Sequence, residues 1–107
     1  MTVAISHKAG FLVLDISNEF SIFTLQDDFP VITSALEEDA DNILVNLTSV
    51  SDMDTPALQA LMWFRQRCNK NSQLTLDVRE GSPVSQLIER FCLTEAQIGK
   101  RVMTRPE

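Results

Sequence analysis

Ile43-Leu44-Val45-Asn46-Leu47-Thr48-Ser49-Val50-Ser51-Asp52-Met53-Asp54-Thr55-Pro56-Ala57-Leu58-Gln59-Ala60-Leu61 is the stretch on which the fold turns. Asn42 to Thr48 is a nearly continuous apolar run of strand length, as expected of a central strand covered on one face or both. Ser49 to Asp54 is polar and reads as a connection. Thr is a favoured N-cap and Pro is tolerated at the first helical position, so Thr55-Pro56 predicts a helix start, with the helix running to about Cys68 or Asn69. On a 3.6-residue wheel Ala57, Leu58, Leu61, Phe64 and Cys68 share the side that must cover the sheet. Trp63 falls nearly opposite, with Gln59 and Gln66 beside it. A Trp so placed is either a partner anchor or a ring folded down on the C-terminal tail.

Upstream, Val3 to Lys8 and Phe11 to Ile16 are short runs rich in β-branched residues, and Ala9-Gly10 between them supplies a residue tolerant of positive φ. They predict a hairpin. From Thr24 to Glu38, Leu25, Phe29, Ile32 and Leu36 recur at helical spacing, with Asp27 and Asp28 near the positive end. Pro30 fits this helix only if regular structure begins shortly before it or bends at it. Downstream, Gln73 to Val78 alternates as a strand, Ser82-Pro83 repeats the helix-start signal, and Val84, Leu87, Ile88 and Phe91 make a third helical stripe. Val102 and Met103 are candidates for a last strand. Strands alternating with helices imply an α/β fold, and the antiparallel opening makes the sheet mixed, with four to five strands and about three helices.

At 107 residues and 44% hydrophobic, the expectation is one domain spanning 1–107. The net charge of −6 argues against nucleic acid and anionic lipid as partners. No run approaches the roughly 20 apolar residues of a membrane span, and Met1 to His7 lacks a basic segment followed by an apolar one, so a cytoplasmic location is expected. Cys68 and Cys92 read as buried thiols in a reducing compartment. Asn46-Leu47-Thr48 matches a glycosylation sequon without meaning for such a protein.

The chemistry-bearing residues are few. His7 is the one histidine, with no evident partner, and His7, Cys68 and Cys92 make no zinc spacing. Gly10, Gly81 and Gly99 are scattered, so there is no phosphate-cradling loop. The pairs Asp52/Asp54 and Asp27/Asp28 read as solvated helix caps rather than a carboxylate or Mg²⁺ site. Neither a cofactor nor a metal is expected, and catalysis is the weaker class of hypothesis.

The run from Ile43 to Leu61 resembles the signature of STAS domains, the sulfate-transporter and anti-sigma-factor-antagonist family: an apolar strand, then Asp-Ser/Thr-Ser/Ala/Gly-Gly-Leu opening a helix. Glu19 to Thr24 resembles the segment entering that family's first helix, and Ser82-Pro83-Val84 with Phe91-Cys92-Leu93 resembles the opening and close of its third. The resemblance implies a partner-binding regulator rather than an enzyme, with contacts at the strand-to-helix turn, and it makes Thr55 the counterpart of the residue that a partner kinase phosphorylates. Asp52, Asp54, Thr55, Pro56, Gln59 and Trp63 are then the partner-binding candidates. Two departures bear on this. Pro56 stands where a small residue is usual and Ala57 where Gly is usual, which stiffens the turn and adds a methyl. After Leu93 the closing elements are also short.

The implied partner is an anti-sigma or serine kinase-like protein or a chemotaxis-linked signalling protein. The alternative is an ATP-binding-cassette ATPase, with this chain as an accessory subunit of a phospholipid transporter. Without the resemblance, Thr55 is equally well read as a helix cap alone, worth roughly 1 kcal/mol.

Overall fold

The computed structural model describes residues 3–105. Strand β1 (Val3–Lys8) turns back into β2 (Phe11–Phe20) as an antiparallel pair. Ala9 and Gly10 take φ of 51° and 84°, the two left-handed conformations that a two-residue hairpin turn needs, and Gly10 adopts its own at no steric cost.

Three crossovers follow. Helix α1 (Ile22–Leu36) leads to β3 (Asn42–Met53), α2 (Thr55–Arg67) to β4 (Gln73–Arg79), and α3 (Pro83–Arg90) with the single-turn α4 (Glu95–Ile98) to β5 (Lys100–Thr104). The sheet order is β1-β2-β3-β4-β5, and every pair after the hairpin is parallel. The fold is therefore α/β with a mixed five-stranded sheet and four helices, α4 being the one beyond the expected three. In β3, Ile43, Val45 and Leu47 are buried while Leu44, Asn46 and Thr48 between them are half-buried, so one face is sealed and the other partly covered. Asn46 Nδ2 donates to Asp15 Oδ1 at 2.9 Å on that second face, which ties the sequon amide into the sheet.

Several expected boundaries move. β3 does not stop at Thr48 but continues to Met53, because β2 also continues and pairs with it as far as Phe20 opposite Met53. Two bulges absorb extra residues of β3 along the way, and Asn18, with φ of 63°, sits at the second. Val50 and Met53 are buried by this extension although their neighbours are polar. Helix α1 begins at Ile22 rather than Thr24 because Ser21 is its cap: Ser21 Oγ accepts from Phe23 N at 3.2 Å, and Thr24 Oγ1 accepts from Ser21 N at 3.0 Å. Pro30 lies inside α1 on the exposed side, where water can satisfy the carbonyl that its ring leaves unpaired. Of the expected stripe, Ile32 is buried and Leu25, Phe29 and Leu36 are half-buried; Asp28, expected to be solvated, faces inward and is buried, whereas Asp27 is exposed.

Two readings of the cysteines and the third helix are corrected. Cys92 is exposed and Cys68 half-buried, so neither is a core thiol in full. Cys92 follows the end of α3 with φ of 52°, a left-handed residue that turns the chain away, and the same turn leaves Phe91 exposed rather than in the stripe of Val84, Leu87 and Ile88.

Candidate partner-binding site

The carboxyl ends of β2, β3 and β4 each lead directly into a helix, so α1, α2 and α3 all open at one edge of the parallel part of the sheet. β3 outruns β4, whose pairing with it ends at Asn46 opposite Asp77. The turn after β3 thus stands at the end of a two-strand extension made by β2 and β3. Asp52, Asp54, Thr55, Pro56 and Gln59 are all brought to this tip.

The cap of α2 is Asp54, not Thr55. Asp54 has the extended backbone of an N-cap, and its Oδ1 accepts from Ala57 N at 3.0 Å. Its Oδ2 accepts from Ile22 N at 2.9 Å, so one carboxylate closes the first turn of α2 and also holds the first turn of α1. Thr55 becomes the first helical residue and Pro56 the second. Thr55 is exposed, and among the described residues its hydroxyl has no hydrogen-bond partner. Of the amides in this turn, Pro56 has none, that of Ala57 goes to Asp54 Oδ1 and that of Leu58 to the Asp54 carbonyl, leaving the Thr55 amide alone.

Asp52 is exposed and lies beside Glu19 on the neighbouring strand. Gln59 is exposed one turn into α2, and Pro56 is half-buried. Trp63 does not fold down on the C-terminal tail. Its ring lies 4.9 Å from that of Phe29 on α1, tilted by 46°, and Arg67 Cζ sits 5.4 Å from its centroid. The ring is half-buried as a brace between α1 and α2, which packs it on a helix rather than on the C-terminal tail. Gln59 and Trp63 share a helix face at the i, i+4 spacing, so the edge of the ring that α1 leaves open continues the stripe that begins at Thr55.

Two residues that the sequence reading passed over stand out. Ile22 is 55% exposed and Phe23 85%, at the very start of α1 beside the Asp54 carboxylate. The signal was present in Ser21 and Thr24 at capping-box spacing, which fixes Ile22 and Phe23 in the first turn while Phe20 just before them goes into the core. A second missed signal is the distribution of charge. Residues 9–64 hold ten Asp and Glu and neither Lys nor Arg, so all nine basic side chains except Lys8 lie beyond Phe64. The net charge of −6 is thus concentrated on the half of the sequence that carries the Thr55 turn.

His7 does have a partner: its Nε2 lies 2.6 Å from Glu38 Oε1 in an exposed pair at the opposite end of β2 from the Thr55 turn. Among the described residues no group of three or more His, Cys, Asp and Glu is arranged to hold a metal ion. Among them, too, no helix is long and apolar enough to cross a membrane.

The fold has solved relatives. An anti-sigma factor antagonist from Mycobacterium paratuberculosis superposes with a TM-score of 0.80 at 16% identity, over 85% of this chain and 77% of the other. A proposed anti-sigma factor antagonist from Thermotoga maritima gives 0.77 at 13% identity, over 98% of this chain and 86% of the other. The anti-sigma factor antagonist SpoIIAA in its unphosphorylated form gives 0.65 at 14% identity, over 98% and 89%. No curated protein matches the chain significantly. The similarities to solved structures are similarities of fold, whereas the STAS domain family model matches residues 2–95, nearly the whole chain and the entire Thr55 turn. On that match, the chain belongs to the STAS domain family.

Proposed function

We propose that this chain is a non-catalytic regulator that binds a signalling protein or serine kinase through the turn at Thr55, and that phosphorylation of Thr55 releases that partner. The observation that carries the proposal is the Thr55 hydroxyl, exposed at the tip of the β2-β3 extension and free of intramolecular hydrogen bonds among the described residues because Asp54 does the capping. The solved anti-sigma factor antagonists of the same fold support it.

Phosphorylation would add about 1.5 to 2 negative charges and three acceptor oxygens at Thr55. Helix starts often welcome a phosphate, but this one has little left to offer, with the Ala57 amide taken and Pro56 lacking one. The new group would press against the Asp54 and Asp52 carboxylates and add bulk where a complementary surface must fit closely. Repulsion of Asp54 would also loosen the bond to Ile22 N, so the change at Thr55 would reach the first turn of α1. Each ~1.4 kcal/mol lost is tenfold in affinity, so a few kcal/mol would dissolve a micromolar complex.

The test is affinity capture from the native host with wild type, Thr55→Ala and Thr55→Glu as bait. The expected result is a protein retained by wild type and Thr55→Ala and released by Thr55→Glu. Identical retention by all three would refute the switch, and recovery of a transporter ATPase in place of a kinase or signalling protein would move the assignment to a transport accessory.

A further inference from the structure

We infer that Ile22 and Phe23 form, together with the Thr55 turn, one docking surface, and that its occupant is a protein with an apolar pocket bordered by Arg and Lys. The inference rests on the Thr55 reading above and extends it to a second element of the fold.

Phe23 is 85% exposed and Ile22 55%, whereas the other large exposed hydrophobics, Phe11, Phe91, Val102 and Met103, range from 37% to 46%. Lone surface hydrophobics are ordinary, but Ile22 and Phe23 are adjacent and both open, and contiguous exposed apolar surface is what marks an interaction site. The turn that presents it is held firmly. Ser21 is buried, exchanges both capping-box bonds with the first turn of α1, and donates its hydroxyl to Glu19 Oε2 at 2.6 Å. Ile22 N is bonded to Asp54 Oδ2. An apolar pair fixed in this way loses little conformational freedom on binding, which favours its use as an anchor.

The surroundings define the partner. Glu19, Asp27 and Asp52 are exposed and Asp54 is half-buried, and the sequence supplies neither Lys nor Arg from residue 9 to residue 64. Among the described residues the one basic side chain within 4 Å of a carboxylate is His7, beside Glu38 at the other end of the sheet, so these four carboxylates have no cation within 4 Å. Arg79, at the end of β4, shares a hollow with Val50 and Ser51 at this edge but comes within 4 Å of none of the four. An apolar centre beside carboxylates that outnumber the nearby cations is complementary to an apolar pocket with a basic rim, and it disfavours phosphate backbones, anionic lipid and the same face of a second copy. Phosphate at Thr55 would then act through bulk at the close-fitting centre and through Asp54, not by repulsion from the rim.

The probe is the purified protein that wild type retains and Thr55→Glu releases. Its affinity is measured by titration calorimetry for wild type, Ile22→Ser, Phe23→Ser and the control Phe91→Ser, which alters an exposed phenylalanine at the end of α3. Both phenylalanines are exposed, and thermal melting checks that the variants remain folded. The expected result is a loss of about tenfold or more for Phe23→Ser, a smaller loss for Ile22→Ser, no change for Phe91→Ser, and weakening of wild-type binding between about 50 and about 300 mM NaCl.

A benzoylphenylalanine placed at position 23 is expected to cross-link the same protein at a peptide containing Lys or Arg. Unchanged affinity for Phe23→Ser, or insensitivity to salt, overturns the docking surface while leaving the Thr55 switch standing. A Phe23-dependent dimer in sedimentation makes the occupant a second copy and overturns it as well, and the absence of any Thr55-dependent protein overturns both readings.

Discussion

Replacing Asp54 by alanine removes the acceptor for two helix starts with one substitution. Loss of an N-cap side chain costs about 1 kcal/mol. The bond from Ile22 N to Oδ2 is a second, charge-assisted contact in a partly exposed place, worth about another 1 kcal/mol. The expected destabilisation is therefore about 2 kcal/mol, or a fall in melting midpoint of about 8–16 °C for a domain of this size. Three companions make the number interpretable. Ser82→Ala removes a cap that serves α3 alone, through Ser85 N at 3.2 Å, and is expected to cost about half as much. Asp54→Asn keeps one acceptor oxygen and so recovers roughly half of the loss. Thr55→Ala removes a hydroxyl that caps nothing, so its cost should stay within about 0.5 kcal/mol. The assay is urea unfolding followed by far-ultraviolet circular dichroism, with midpoints and slopes compared across the set. If Asp54→Ala costs no more than Ser82→Ala, the bridge between the two helices contributes nothing. If Thr55→Ala costs about 1 kcal/mol, Thr55 is the cap after all.

Gly99→Ala should destabilise by about 1–3 kcal/mol in the same urea assay, since Gly99 has φ of 100° and an added Cβ would fall 2.8 Å from the Leu74 carbonyl oxygen. Trp63→Ala removes the ring between Phe29 and Arg67 and should cost about 1–3 kcal/mol, whereas Trp63→Phe should restore most of it if packing between α1 and α2 is the reason. With iodoacetamide near neutral pH, exposed Cys92 should be alkylated well before half-buried Cys68, a difference that urea abolishes.

Burial pushes the Cys68 thiol up, with Arg65 pulling weakly the other way. A raised thiol favours the neutral form in the native state, so the stabilisation is complete below the ordinary thiol value and is lost as pH rises through the higher native one. Cys68→Ser should flatten the alkaline end of the stability profile.

Local chemistry was enough for some of this protein. The hairpin needs only Ala9-Gly10 between two β-branched runs, and α3 follows from Ser82-Pro83, which occupy the cap and first helical positions expected of them. The inward face of α2 is likewise written in its spacing, with Ala57, Leu58, Leu61 and Phe64 all buried. The Ile43 to Leu61 run was sufficient to single out the turn at Thr55.

What needed tertiary structure depends on partners distant in sequence. Asp54 and Thr55 are both good caps, and only the backbone of the strand entering the turn decides which of them is extended. That strand reaches Met53 because β2 runs alongside it, a pairing across more than 30 residues that no local pattern encodes. The bond from Ile22 to Asp54, the tilted ring contact of Phe29 with Trp63 and the exposure of Phe23 arise in the same way, where two helix starts and two helix flanks meet. Periodicity says which side chains turn away from the helix axis together, but which of them find cover is settled by the elements that arrive beside them.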